Sequence, residues 1–400
     1  MLLQQRFINE VESSLHHSDA SLLTRRLMDF CEEFKVGEDA RREIFDLRRA
    51  YLNSENAEGQ VSANDIFVRS KKVTEQYLVS PLEHKNPKGV PEELLISATG
   101  ISKQFKKGRA PFKLQSLEVK LKFGEITGVV GENGNGKTTL LRILAGELAS
   151  DTGTIFYPAL NVKENDWYAV KNHLAFIPQR IKKWHGTLLD NLRFYATIHG
   201  FTNEENAYHI DYILFRLGLD RFRDLKWSEI SSGYRLRFEL AKMLLWKPKL
   251  LILDEPLANL DINAQQLFLQ DLKFFTQSVS HPVSIILSSQ NLHEIERVAD
   301  NILFIRQGKT IYNGSQKDFA FDRQQNSFEV SGKFDLDTLV KCFVEFPEFK
   351  VENAGTSFII TTSINCNIYT VTSILNEKQI DLSYIRDISQ STRKLFHKDI

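Results

Sequence analysis

The sequence predicts an α/β core set between an all-α N-terminal region and a small C-terminal α+β domain. Three observations carry that reading. From residue 93 to about 317, short apolar runs of strand length alternate with longer stretches of helical periodicity. Inside that stretch, residues 131–139 read Gly-Glu-Asn-Gly-Asn-Gly-Lys-Thr-Thr, a GxxxxGK[ST] loop. It lies between an apolar run (Ile126, Val129, Val130) and a helical pattern (Leu140, Leu141, Ile143, Leu144), the strand–loop–helix context such a loop requires. On both flanks the patterning changes, to helical spacing before the core and to mixed short elements after it.

Residues 1–80 are charged and lack strand-like alternation. Phe7, Val11 and Leu15, then Leu22, Leu23, Leu27 and Phe30, then Ile44, Leu47 and Tyr51 recur at helical spacing. Asp19 or Ser21 is expected to cap the second helix and Gly37 to end it, with a fourth helix near Ile66 to Tyr77. Residues 81–92, with three prolines and a glycine, read as a linker. The core domain, 93–322, offers Leu94–Ser97, Glu118–Leu121, Glu125–Val130, Leu174–Ile177, Leu250–Leu253, Ser284–Leu287 and Asn301–Ile305 as strands. Runs such as Leu250–Leu253 are apolar on both faces, as central parallel strands are. Residues 323–400 give strand (Ser327–Ser331), helix (Leu336–Phe346), two strands (Lys350–Asn353, Ser357–Thr362), helix (Tyr369–Asn376) and strand (Leu382–Asp387). That βαββαβ order is ferredoxin-like. The N-terminal region reads as a helical stabilising or docking appendage, or alternatively as a regulatory, partner-binding module; the C-terminal domain carries no clustered catalytic residues and reads as an interaction or regulatory appendage.

Composition limits the function. The 51 basic and 51 acidic residues balance, so no bulk field favours nucleic acid, and none is expected as a partner. Cys31, Cys342 and Cys366 fit neither a disulfide framework nor a zinc pattern, and a reducing compartment is expected. The first residues lack a basic stretch followed by an apolar core, and no run reaches the roughly 18 apolar residues of a membrane span. A chain soluble by itself is expected, held at a membrane only through another polypeptide.

The loop's chemistry points to a nucleoside triphosphate. Gly131, Gly134 and Gly136 let backbone N–H groups crowd a polyphosphate, and the following helix directs its positive end at it. Asn133, Asn135 and Thr139 complete the candidate binding loop. Lys137 supplies a point charge to the terminal phosphates, and the Thr138 hydroxyl is placed for Mg²⁺. Downstream, Leu250–Leu253 runs into Asp254 and Glu255, a buried strand ending in two carboxylates. Asp254 is the second candidate for Mg²⁺, and Glu255 is positioned to polarise the attacking water.

Upstream of those carboxylates, Ile230-Ser231-Ser232-Gly233-Tyr234 precedes an apolar helix, and here the chain resembles the ABC ATPases with their LSGGQ-like signature. The resemblance spans roughly residues 95–317. Gln179 matches the Q-loop, a second contact to catalytic water and metal, and Leu257-Ala258-Asn259-Leu260-Asp261 matches the D-loop. Phe105 matches the aromatic that stacks on adenine, and Phe123-Gly124-Glu125-Ile126 the entry to the phosphate-loop strand. The resemblance implies a P-loop NTPase core with a helical subdomain, and a head-to-tail pair of nucleotide-binding domains. Each ATP would lie between one chain's loop and the other's Ser231 and Gly233, with Asp261 nearby. It implies as partners a second copy or a homologous nucleotide-binding subunit, and a separate transmembrane permease that places the chain at the inner membrane face. The surface Ile181, Trp184, His185, Thr187, Leu188 and Leu189 is expected to be exposed and to receive a helix of that permease.

Three positions depart from the pattern. Ser232 replaces the first glycine of LSGGQ and Tyr234 its glutamine. After Ser284–Leu287, where the family carries a switch histidine, the chain reads Ser288-Ser289-Gln290, which places Gln290 among the catalytic candidates. Glutamine donates a hydrogen bond to phosphate but does not become cationic. The nearby His293 is expected on the surface of the following helix. The main expectation is an ATPase subunit driving a membrane transporter; the rival is a soluble ABC-type ATPase or a weakly hydrolytic, nucleotide-gated regulator.

Overall fold

The computed structural model describes residues 2–34, 36–54, 63–78, 93–105, 112–163, 166–278, 281–316, 318, 325–346 and 348–389. The expected linker lies outside them. The N-terminal region is helical: α1 (Leu2–His16), α2 (Ala20–Phe34), α3 (Glu38–Ser54) and α4 (Ala63–Val73), closed by a π-helical turn Thr74–Leu78. The chain continues β1 (Leu94–Phe105), β2 (Phe112–Lys122), β3 (Ile126–Val130), α5 (Lys137–Leu144), β4 (Thr152–Phe156), α6 (Trp167–Lys171) and β5 (Leu174–Ile177). Then come α7 (Leu188–Ile198), α8 (Asn203–Arg216), α9 (Ser232–Leu244), β6 (Leu250–Leu253), α10 (Ile262–Gln277), β7 (Ser284–Ser289) and α11 (Leu292–Glu296). The last elements are β8 (Asn301–Arg306), β9 (Lys309–Ser315), β10 (Gln325–Gly332), α12 (Leu336–Cys342), β11 (Lys350–Asn353), β12 (Phe358–Ser363), α13 (Ile368–Glu377) and β13 (Leu382–Asp387). Two compact units result, one of residues 1–126 with 137–288, the other of 127–136 with 289–400.

In the first unit, β5, β6 and β7 pair in parallel, Leu174 facing Leu250 and Leu250 facing Ser284. Every residue of β6 and β7 is buried, which explains the unbroken apolar run of β6 and the Ile285–Leu287 centre of β7. The first two predicted strands do not join them. β1 and β2 pair antiparallel with each other, and β1 with β4, in a separate sheet of order β2-β1-β4. β2 accordingly alternates, burying Leu114, Leu117, Val119 and Leu121 while its intervening residues face out. β4 was not foreseen: its residues are nearly all exposed, so no apolar alternation marks it.

The N-terminal helices are bonded into this unit. Asp19 caps α2, accepting from the Leu22 N–H at 2.8 Å. Phe7 meets Phe30 and Phe34 edge-on at 6.0 and 5.9 Å, over buried Leu23, Leu27 and Met28. Arg216, at the end of α8, is 2% exposed and donates to Asp29 of α2 at 2.6 Å and to Asp271 of α10 at 2.7 Å. Arg25 reaches Asp271 at 3.2 Å and Arg26 reaches Asp29 at 3.3 Å. Arg48 of α3 donates to the Phe215 carbonyl at 3.1 Å. Charges this deeply buried persist only when paired, so α2, α8 and α10 are held in one register. Desolvation pushes the Asp29 carboxyl above its ordinary value despite Arg216 and Arg26. At Asp271 burial is outweighed by Arg216, Arg25 and Arg237, and its pKa lies below the ordinary value.

In the second unit, β3 pairs in parallel with β8, and β8 antiparallel with β9, an exposed strand that the sequence reading also missed. The C-terminal sheet has the order β11-β12-β10-β13, antiparallel throughout, the ferredoxin-like arrangement expected from its element order. α12 and α13 pack Leu339, Val371 and Leu375 on Phe328, Val330 and Ile360. The first of these helices ends at Cys342, short of Phe346, where Phe343 leaves helical geometry and stacks on Phe349 at 4.7 Å.

Candidate nucleotide site

Three elements of the first unit bring five predicted residues together. Lys137 and Thr138 open α5, Gln179 follows β5, and Asp254 and Glu255 follow β6. The Thr138 hydroxyl donates to Asp254 Oδ2 at 2.8 Å. Lys137 Nζ lies 3.1 Å from Glu255 Oε1, both side chains nearly buried, and Gln179 Nε2 donates to Glu255 Oε2 at 2.7 Å. Ser288, at the end of β7, completes the cluster: its hydroxyl donates to Asp254 Oδ1 at 2.8 Å and accepts from the Glu255 N–H at 2.9 Å. It was not among the predicted site residues, and the only available signal was a hydroxyl ending an apolar strand. Glu255 has φ 47°, in the left-handed region and directly before Pro256. Such a conformation costs about 1 kcal/mol or more and is typical of positions where function fixes the backbone. The Thr138 hydroxyl and the Asp254 carboxylate are hard oxygen donors. A single carboxylate suits Mg²⁺, which fills its other positions with water and phosphate oxygens. Among the described residues no group of three or more His, Cys, Asp or Glu forms another metal centre.

The glycine half of the loop belongs to the second unit. Gly131 needs its missing side chain, since a Cβ there would stand 2.3 Å from the Ile305 carbonyl oxygen. Gly134 and Gly136 have φ 81° and 103°. Asn135 is buried and accepts from the Gln307 N–H at 2.8 Å, which anchors the loop, while Asn133 is exposed. Gln290 is exposed, with a bonding partner of its own; the His293 side chain lies outside the described residues. Thr139 is half-buried on α5, and Phe105 ends β1 with 38% exposure.

Ser231, Gly233 and Asp261 lie at two helix starts of the first unit, and a Cβ on Gly233 would come within 3.3 Å of Leu260, the neighbour of Asp261. Ser231 is the N-cap of α9, accepting from the Tyr234 N–H, and Asp261 is the N-cap of α10, accepting from the Ala264 N–H at 2.9 Å. Tyr234 packs on Phe222 with centroids 4.1 Å apart and accepts from Arg221 at 3.0 Å.

The surface expected after Gln179 requires correction. Trp184, Leu188 and Leu189 are buried, not exposed. Trp184 stacks on Trp227 at 4.9 Å and donates its indole N–H to Glu239 at 2.8 Å, while Lys242, paired with Glu239, lies over its ring. Burial lowers the Lys242 pKa, and Glu239 offsets this only in part. Ile181, His185 and Thr187 remain accessible. The exposed apolar residues lie further along, Phe194 (63%) and Ile198 (59%), one turn apart on α7.

Comparison with known proteins agrees with this geometry. Residues 114–258 match the family described as ABC transporter. The chain is 31% identical over 208 residues to an uncharacterised ABC transporter ATP-binding protein of Methanocaldococcus jannaschii, covering 52% of this chain and 73% of that protein. It is 26% identical over 231 residues to the ABC transporter ATP-binding protein NatA of Bacillus subtilis, covering 55% and 89%. Among solved structures, cbiO1 from Clostridium perfringens, part of the ABC transporter complex cbiONQ, shares the fold over 58% of this chain and 92% of its own, with a TM-score of 0.50 and 23% identity. The phosphate loop, the carboxylate-terminated strand and the signature thus stand together with a relative matched over most of its length, and the chain belongs to the ABC transporter ATP-binding proteins.

Proposed function

We propose that the chain binds and hydrolyses Mg-ATP, and that two copies, or one copy and a homologous subunit, close head to tail around the nucleotide to power a membrane permease. The observation that carries this reading is the mutual contact of Lys137, Thr138, Gln179, Asp254 and Glu255. Phosphate oxygens compete with Glu255 for the Lys137 ammonium, which frees the carboxylate to accept a proton from water. The water oxygen then bonds to the γ-phosphorus as the bond to the β–γ bridging oxygen breaks, leaving ADP and phosphate. Thr138 and Asp254 would hold Mg²⁺, which would offset negative charge on the phosphates, and Gln179 orients the water. Phe105 is read as the adenine platform, and the backbone around Asn133, Gly134, Asn135, Gly136 and Thr139 as the phosphate cradle. Ser231, Gly233 and Asp261 face the nucleotide of the second chain.

In this reading the cassette spans 93–322, with 1–80 and 323–400 as appended modules. Phe194 and Ile198, with Ile181 and His185, are the face offered to the permease, which holds the chain at the inner membrane surface. Among the described residues no helix is long and apolar enough to cross a membrane. A second reading, a slowly hydrolysing nucleotide-gated regulator, is favoured by one feature, the neutral Gln290 at the switch position. Glu255→Gln tests the main reading, because the amide keeps the shape and loses the base. ATP should shift this variant from monomer to dimer in size-exclusion chromatography and turnover should stop; normal hydrolysis or a monomer at saturating ATP would overturn the assignment.

A further inference from the structure

Position 232 is where the ABC ATPases carry the first glycine of their signature, a residue with no side chain to bond. Here Ser232 opens α9, and its hydroxyl donates to the Asn259 carbonyl at 3.1 Å. The next residue packs on the same strip: a Cβ on Gly233 would come within 3.3 Å of Leu260 Cδ2. Asn259 and Leu260 belong to the turn that runs from Glu255 to the α10 cap Asp261. That turn is internally tied. The Ala258 N–H reaches the Glu255 carbonyl at 3.4 Å, and the Leu260 N–H reaches that of Leu257 at 3.2 Å. Gln265 Nε2 donates to the carbonyls of Leu257 and Leu260 at 3.1 and 3.3 Å. The acceptor of Ser232 is therefore joined through a short, hydrogen-bonded turn to the carboxylate read as polarising water.

We propose that Ser232 is a positioning residue coupling the two ATP sites of the dimer. When Ser231 and Gly233 engage the second chain's nucleotide, the Ser232–Asn259 bond draws the turn with them and sets the chain's own Glu255. A glycine at this position has no hydroxyl to donate; the serine adds a directional tie. The inference rests on the head-to-tail dimer proposed above.

The test compares ATPase rate against ATP concentration for the full-length wild type, Ser232→Ala and Ser232→Thr. Alanine is well tolerated at the first helical position, so the variant folds. One neutral hydrogen bond is lost, so kcat should fall about two- to tenfold, and the Hill coefficient should move toward one. ATP affinity of the monomer should stay unchanged. Ser232→Thr keeps the hydroxyl and should stay within about twofold of wild type. Wild-type cooperativity and rate in Ser232→Ala, or an equal loss in Ser232→Thr, would overturn the role. If Glu255→Gln fails to dimerise with ATP, the head-to-tail reading falls first; if it dimerises and Ser232→Ala remains cooperative, only the coupling falls.

Discussion

Arg216→Ala should loosen the N-terminal helices without touching the nucleotide residues. The guanidinium is 2% exposed and serves Asp29 and Asp271 at 2.6 and 2.7 Å. Removing one partner of a buried ion pair costs about 3–5 kcal/mol, because the other charge is left desolvated and unpaired. Here two carboxylates are abandoned, which argues for the upper end. Arg26 and Arg25 stay within 3.3 and 3.2 Å of them and take up part of the deficit. The side chain also leaves Phe274, whose ring centroid lies 4.8 Å from the guanidinium carbon. A net loss of about 4 kcal/mol follows, equivalent to a roughly thousandfold larger equilibrium constant for opening. Native-state hydrogen exchange is the suitable assay, since a chain of two compact units need not unfold in one step. Amides of α2, α8 and α10 should lose protection by about that factor, while those of α12 and α13 keep theirs. Unchanged exchange in α2 of Arg216→Ala would show that other contacts hold these helices, and the reasoning from the buried charges would fail.

Lys137→Ala should lose most ATP affinity, since its buried ammonium has no neutral equivalent at the terminal phosphates; equilibrium titration with a labelled ATP analogue checks this, and wild-type affinity would remove the loop from the site. Gln290→His should raise kcat by up to about a hundredfold, the usual worth of one positioned donor near developing charge; silence of both Gln290→His and Gln290→Ala in steady-state assays would take this residue out of the catalytic site. Asp271→Asn should make stability less sensitive to acid. The folded pKa of Asp271 is depressed, so its contribution is present above the unfolded value of about 3.9 and fades as pH falls through the lower folded value. The melting-temperature gap between wild type and variant should be constant above about pH 5 and close below about pH 4; a gap that widens in acid would contradict the assigned direction.

What the sequence made legible was whatever chemistry ties to a short span. The phosphate loop, the aliphatic strand ending in Asp254 and Glu255, and the helix cap Asp19 each need particular residue types within a few positions. The βαββαβ order of the last domain was equally plain, because its two faces impose separate periods on neighbouring elements. Side chains whose meaning depends on a distant partner were misread or passed over. Trp184 looked like an exposed anchor until Glu239, 55 positions away, supplied its hydrogen bond. Ser288 carries no period and shows its role only beside Asp254, 34 positions back.

Arg216 is the sharpest case, because its partners lie 187 and 55 positions away. A local signal did exist. Ile210, Ile213 and Leu217 define the apolar stripe of α8 and its exit, and Arg216 falls on that stripe, three residues beyond Ile213. Arg25 and Asp29 stand the same way among Leu23, Leu27 and Met28 of α2. A charge at a stripe position is buried unless the helix is mispredicted, and a buried charge demands an opposite one from another element. Applied to α2 and α8, that rule predicts an appended helical region joined to its neighbours by buried ion pairs, not one merely tethered by a linker, before any partner is identified.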